Sequence, residues 1–170
     1  MDRDFQLFIE NVQSDVQALV YSEGEGATFE DKYTEYCIEI LESIGETEGA
    51  RVCSYNYPGD QGKDWKVNGY CLRDTFKDDK KTVFETLDLF ITYFQNDFNY
   101  NITKDAFQKA INQIKRFLNS ALKGHIDYVD PSHELFQAIK LIRHQSSDFD
   151  RINIFFLLNG SSGHTIEKIT

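Results

Sequence analysis

Three carboxylates fall along the chain in an order that could support hydrolysis: Glu35 in a helical stretch, Asp64 just ahead of a strand, and Asp88 in the middle of the next strand. Magnesium needs two or more carboxylate oxygens converging on one site, and a nearby lysine helps to position the attacking water. Metal-dependent nucleases present their ligands in this order: a helical carboxylate, a three-stranded meander with acids on its second and third strands, then a helix and a fourth strand. Glu35, Asp64 and Asp88 are therefore the candidate catalytic residues, with Glu35 and Asp88 the candidate ligands of a Mg2+ ion. The pattern has two gaps. Asn68 stands where the second strand should end in an acid, and Phe90 stands two residues after Asp88, where an E-x-K half-motif would place lysine. Reading the half-motif from Glu85 gives Glu85-Thr86-Leu87, again without lysine, which leaves Lys66 as the candidate substitute. A neutral amide in place of a charged ligand weakens magnesium binding. Asp88 also has a purely structural reading, because an acid inside an apolar strand must find a cation or hydrogen-bond donors whether or not it binds a metal.

Other chemistry is poorly supplied. There is no GxxxxGK[ST] loop and no GxGxxG after a strand. His125, His133, His144 and His164 lack ligand-like spacing to one another or to a cysteine. Cys37, Cys53 and Cys71 form no CxxC pair, and each sits in an apolar pattern that suits a small core residue. Their odd number and the absence of a signal-like opening run lead us to expect a reducing, cytoplasmic setting, in which the sequons at Asn101 and Asn159 are without effect. No apolar run is long enough to span a bilayer, so no membrane partner is expected.

The elements that position these residues follow from hydrophobic spacing. Phe5, Phe8, Ile9, Val12, Val16 and Leu19 predict an amphipathic helix over about residues 4–21. Thr28 is a candidate N-cap for a second helix, whose face is set by Tyr33, Tyr36, Cys37, Ile40, Leu41 and Ile44 and which stops at Gly45. From Arg51 the period changes to two. Strands are predicted over 51–57, 65–72 and 82–94, the last apolar on both faces and therefore central in a sheet. A helix from Thr103 to about 122 follows, then a shorter one capped by Asp130-Pro131, then a buried-type strand over 151–158. The order is ααβββααβ. We expect an α/β (α+β) fold with a mixed four-stranded sheet, a β-meander plus one crossover strand, flanked by helices.

Charge is distributed unevenly over this frame. The 170 residues carry a formal net charge of -10. Thirteen acids and two bases lie in residues 1–50, whereas the other 120 residues hold fifteen acids and sixteen bases. The two N-terminal helices thus repel phosphate and are candidates to meet a basic protein partner or to form a homodimer. Nucleic acid remains a candidate partner for the later part alone. There Lys104, Lys109, Lys115, Arg116 and Lys123 share one predicted helix, with Lys109, Lys115 and Arg116 the candidate phosphate contacts.

Four segments taken together resemble a known family. They are Phe29-Glu30-Asp31 through Glu39-Ile40-Leu41, then Val67-Asn68-Gly69-Tyr70, then Leu87 to Phe94, and Arg151 to Leu158. They are similar to the N-terminal region of bacterial abortive-infection phage-resistance proteins of the AIPR type, in which a V-D-G-Y strand precedes a long apolar strand and a helical pair leads to a final strand. The resemblance implies a restriction-endonuclease-like core and a role in phage defence. Residue by residue, Glu35 matches the helical glutamate and Asn68 falls where the family carries aspartate. It also implies that the chain is a single domain, the N-terminal one of a longer protein, with an added helix and loop over 1–27 and a nuclease-like core over 28–158. Three functional readings follow. The first is a nuclease fold with a degraded site that serves recognition or assembly. The others are an active Mg2+-dependent nuclease using Glu35, Asp64 and Asp88, and an interaction or dimerisation module built on the acidic helices.

Overall fold

β-branched and aromatic residues fill eight of the thirteen positions of 81–93 and recur through 51–57 and 65–78, and in the computed structural model these segments are strands β1 (Arg51–Tyr57), β2 (Trp65–Asp78) and β3 (Lys81–Tyr93). The structure describes residues 3–59, 63–78, 81–95, 101–124 and 129–160. Helices α1 (Arg3–Glu23) and α2 (Phe29–Ser43) precede the strands, and α3 (Lys104–Lys123), α4 (Glu134–His144) and β4 (Arg151–Leu158) follow. The expected order ααβββααβ holds. The sheet runs β1-β2-β3-β4, with β1–β2 and β2–β3 antiparallel and β3–β4 parallel, so α3 and α4 form the crossover that a parallel partner requires. This is the mixed α+β architecture that the periodicity predicts. β2 runs six residues further than expected because it stays paired with β3 as far as Asp78 opposite Lys81.

The central position of β3 follows from its two apolar faces. Leu87, Leu89 and Ile91 join Trp65, Val67 and Tyr70 against Ile114 and Phe117 of α3 and Leu135, Ile139 and Ile142 of α4. Phe90, with Cys71 and Leu157, packs on the opposite side against Tyr33 and Ile38 of α2 and Val12 and Val16 of α1. The sheet is therefore sandwiched between an α1–α2 layer and an α3–α4 layer. Each fully buried side chain of this kind contributes about 1.5–3 kcal/mol.

Three helix details differ from the expectation. Phe5, Phe8 and Leu19 of the apolar face predicted for α1 are exposed, and only Ile9, Val12 and Val16 of it are buried. α2 turns Thr34 and Ile38 inward while Ile40 and Ile44 are 43% and 66% exposed, so its packed face is rotated toward the 30-34-38 row. Asp130 does not cap α4. Its carboxylate takes the backbone N–H and hydroxyl of Ser132 in a tight turn, and His133 caps the helix by accepting from the Leu135 N–H at 3.2 Å through Nδ1. Thr28 and Thr103 do cap α2 and α3, accepting from the N–H groups of Asp31 and Ala106.

Gly69 has a steric role. A Cβ there would lie 2.7 Å from the Arg51 carbonyl oxygen of β1. Beside it the β1–β2 register shifts between Val52↔Gly69 and Tyr55↔Val67, so that Cys53 and Ser54 of β1 face the single residue Asn68 of β2. This is a β-bulge, and it re-aims the side chains around Asn68.

Candidate functional site

The β2–β3 register ends at Gly69↔Phe90, although β2 continues back to Trp65 and β3 on to Tyr93. At this fork side chains take over from the backbone. The Thr92 N–H donates to Asn68 Oδ1 at 2.9 Å, and Lys66 Nζ donates to the Thr92 carbonyl at 3.1 Å. Asn68 is fully buried, and its Nδ2 donates to Ser54 Oγ on the bulge at 3.1 Å. Both ends of the amide are therefore engaged. Lys66 also donates to the Glu30 carboxylate, with Nζ 2.7 Å from Oε1. Thr34, one helical turn beyond Glu30, donates to the Glu30 carbonyl and shares a hydroxyl hydrogen bond with Thr92. The fork forms the floor of an open cleft of about 490 Å³ lined by Glu30, Asp31, Ser54, Asn56, Lys66 and Asn68, among others.

Asp88 belongs to a second network on the same face of the sheet. Its carboxylate is fully buried and has four contacts. Oδ1 accepts from Arg73 Nη2 at 3.0 Å and from Asn153 Nδ2 at 2.8 Å, and Oδ2 accepts from Thr47 Oγ1 at 2.9 Å. Arg73 Nε lies 2.9 Å from Oδ2, an ionic contact rather than an aligned hydrogen bond. The charge is thus matched by a guanidinium and its lone pairs are occupied by donors from β2, β4 and the turn after α2.

The other expected acids have partners of their own. Glu35, exposed on α2, holds Lys32 at 2.6 Å. Asp64 accepts from Gln113 Nε2 at 2.7 Å and from Arg116 Nη1 at 2.9 Å, so it pins α3 to the start of β2. No hydrogen bond or ion pair links Glu35, Asp64 and Asp88 to one another among the described residues. Nor, among those residues, is any group of three or more His, Cys, Asp or Glu side chains placed to hold a metal ion. Set against the needs of magnesium, the described side chains are a poor fit: the cleft has two carboxylates, Glu30, held by Lys66, and Asp31, whose Oδ2 accepts from the Thr28 hydroxyl at 2.7 Å, while Asp88 faces an arginine. Lys109 and Lys115 are exposed on α3, while Arg116 is engaged by Asp64.

Sequence reasoning passed over Glu30, Thr34 and Thr92, which the fold gathers beside Lys66 and Asn68. The available signal was the i, i+4, i+8 row Glu30-Thr34-Ile38, whose polar members look like solvated helix positions until β3 is set against them. The thiols offer no nucleophile near neutral pH. Burial pushes Cys37 up to about 11 and Cys53 up to about 12, and it also raises Cys71, whose Sγ donates to the Glu48 carbonyl.

Residues 33–169 match the model of the family described as abortive infection phage resistance protein, N-terminal domain. The chain belongs to that family. No curated protein and no solved structure matches it. The match to the abortive infection domain takes in all four strands, α3, α4 and most of α2, and therefore Lys66, Asn68, Asp88 and Thr92, whereas α1 and Glu30 lie ahead of it. In this abortive infection domain no helix among the described residues is long and apolar enough to cross a membrane.

Proposed function

We propose that this phage-resistance domain is a restriction-endonuclease-like fold whose hydrolytic site has degenerated and which serves recognition or assembly within its parent protein. The αβββααβ core with its parallel fourth strand is compatible with such a fold. One observation carries the loss of chemistry: the residue in the ligand position, Asn68, is a buried amide with both ends engaged, and the nearest lysine, Lys66, is held between Glu30 and the Thr92 carbonyl. A lysine so placed completes a strand ladder instead of orienting water. The test is incubation of the full chain with plasmid DNA and with single-stranded RNA in Mg2+ and in Mn2+. We expect no cleavage. Cleavage that disappears in Glu30→Ala, Glu35→Ala or Asp88→Ala would establish the active-nuclease reading instead.

A second reading, an interaction or dimerisation module, draws support from α1. Its Phe5, Leu7, Phe8, Leu19 and Tyr21 are exposed, and the helix carries four acids against one arginine. Light scattering of the chain with and without residues 1–27 tests it. A monomer in both preparations would remove homodimerisation from consideration.

A further inference from the structure

The two helical layers differ in sign and in texture. α2 has five acids against one lysine, and α1 adds its own acidic excess together with exposed aromatic and aliphatic side chains. On the other side of the sheet, α3 has five bases against the single acid Asp105. Its exposed positions form one continuous face: Lys104, Gln108, Asn112, Lys115, Asn119 and Lys123 follow one another at three- and four-residue steps, flanked by Lys109 and by the lone acid Asp105. Over 20 residues this stripe extends about 30 Å. None of the four lysines is in an ion pair among the described residues, and no large hydrophobic side chain is exposed on α3. Protein interfaces depend on buried aromatic or aliphatic anchors, which this face lacks. Lysines interleaved with side-chain amides are the donors that contact phosphate and sugar oxygens.

We propose that the outer face of α3 docks on the phosphate backbone of a nucleic acid through Lys104, Lys109, Lys115 and Lys123, without reading sequence. Arg116 is excluded from the set because Asp64 holds it at 2.9 Å. The acidic α1–α2 layer on the far side repels phosphate, so the net negative chain approaches a polyanion in one orientation only. The proposal names a partner class for the recognition role proposed above and rests on that role. It is separable from the site reading, which is tested by cleavage.

The experiment is fluorescence anisotropy of the full chain with a labelled 20-base-pair duplex DNA and, in parallel, a labelled single-stranded RNA, from 50 to 200 mM KCl. Four phosphate contacts give a log–log salt slope of about -3.6 on duplex, so affinity falls about 150-fold over that range; on a single strand the slope is about -2.8 and the fall about 50-fold. Combining Lys109→Gln, Lys115→Gln and Lys123→Gln leaves one contact and reduces the duplex fall to about 3.5-fold. Glutamine keeps helix propensity, and an unchanged melting curve checks the fold. Lys140→Gln, an exposed position on α4 and off this face, keeps the wild-type slope. The proposal is overturned by absence of binding to both probes at 50 mM KCl, or by a slope that the triple variant leaves unchanged. It is equally overturned if sedimentation without nucleic acid shows the wild type dimeric and the triple variant monomeric, which would assign the face to a second copy's acidic helices.

Discussion

Replacing Asp88 with alanine separates a structural acid from a catalytic one. The carboxylate is fully buried, and its removal strips Arg73 of its counter-ion and Thr47 and Asn153 of their acceptor. Breaking a buried ion pair by deleting one member costs about 3–5 kcal/mol, because the surviving charge is left uncompensated. Here the Arg73 side chain is 29% exposed, so water recovers part of that loss and the lower end of the range applies. The two hydrogen bonds from Thr47 and Asn153 act in the other direction. The expected loss is about 3–4 kcal/mol, a large part of the 5–15 kcal/mol that holds a domain folded. With a urea m-value of about 1–3 kcal/mol/M, the midpoint falls by about 1 M or more. Adding Arg73→Met to Asp88→Ala should recover part of the loss, because the orphaned guanidinium is then gone. If Asp88→Ala left the urea midpoint within error of wild type, the structural account of Asp88 would be refuted. A simultaneous loss of metal-dependent cleavage would assign Asp88 to the chemistry.

Asn68→Ala leaves the Thr92 N–H without an acceptor at the fork and should cost about 1–3 kcal/mol in urea unfolding, with the amide of Thr92 losing its protection in hydrogen exchange. Gly69→Ala places a methyl 2.7 Å from the Arg51 carbonyl, so β1 must shift; thermal melting should show a loss larger than that of Ser54→Ala, which removes only one partner of Asn68. The thiols predict a pH effect. Burial raises Cys53 from its ordinary 9.0 to about 12, so the folded state keeps a proton that the unfolded state releases above pH 9. Its stabilising contribution is full below pH 9 and declines by about 1.4 kcal/mol per unit as pH rises toward 12, so a Cys53→Ala variant should lose stability with pH less steeply than wild type by that amount. At pH 8 iodoacetamide should leave all three cysteines unmodified in the native protein and modify all three in urea, as read by intact mass.

The sheet and its order were legible because hydrophobic period is a local property. Alternation marked β1, the doubly apolar run of 82–94 marked a central β3, and Thr28 and Thr103 announced two helices correctly. The candidate site was much less legible. Asp88 could be seen to need a partner, but Arg73, Thr47 and Asn153 come from three separate elements, and no spacing rule connects them. The face read for α2 was largely right, since Tyr33, Tyr36, Cys37 and Leu41 pack on the core, but Ile40 and Ile44 stay exposed and burial extends to Thr34 and Ile38, on the side where Lys66 and Thr92 offer hydrogen bonds to Glu30 and Thr34. The substitution of side chains for backbone at Thr92 left no trace in the pattern, since it depends on where two strands part. Asp130-Pro131 had the composition of a helix start, and the competing Asx turn with Ser132 won.

The parallel pairing of β4 with β3 has a consequence for how the chain folds. It joins residues 65 apart, Asp88 and Asn153 among them, whereas β2 and β3 meet through a local hairpin. A loop of that length closes more slowly than a hairpin, so the meander assembles before the crossover delivers its last strand. In that interval one flank of β3 is an open row of N–H and C=O groups along Leu87 to Ile91, and Asp88 lacks one of its donors. A growing chain on the ribosome passes through this state whenever synthesis has reached α3 but not residue 151. Chaperone dependence and aggregation of truncated chains should therefore peak in that window and fall once β4 covers the flank of β3 and becomes the edge strand in its place.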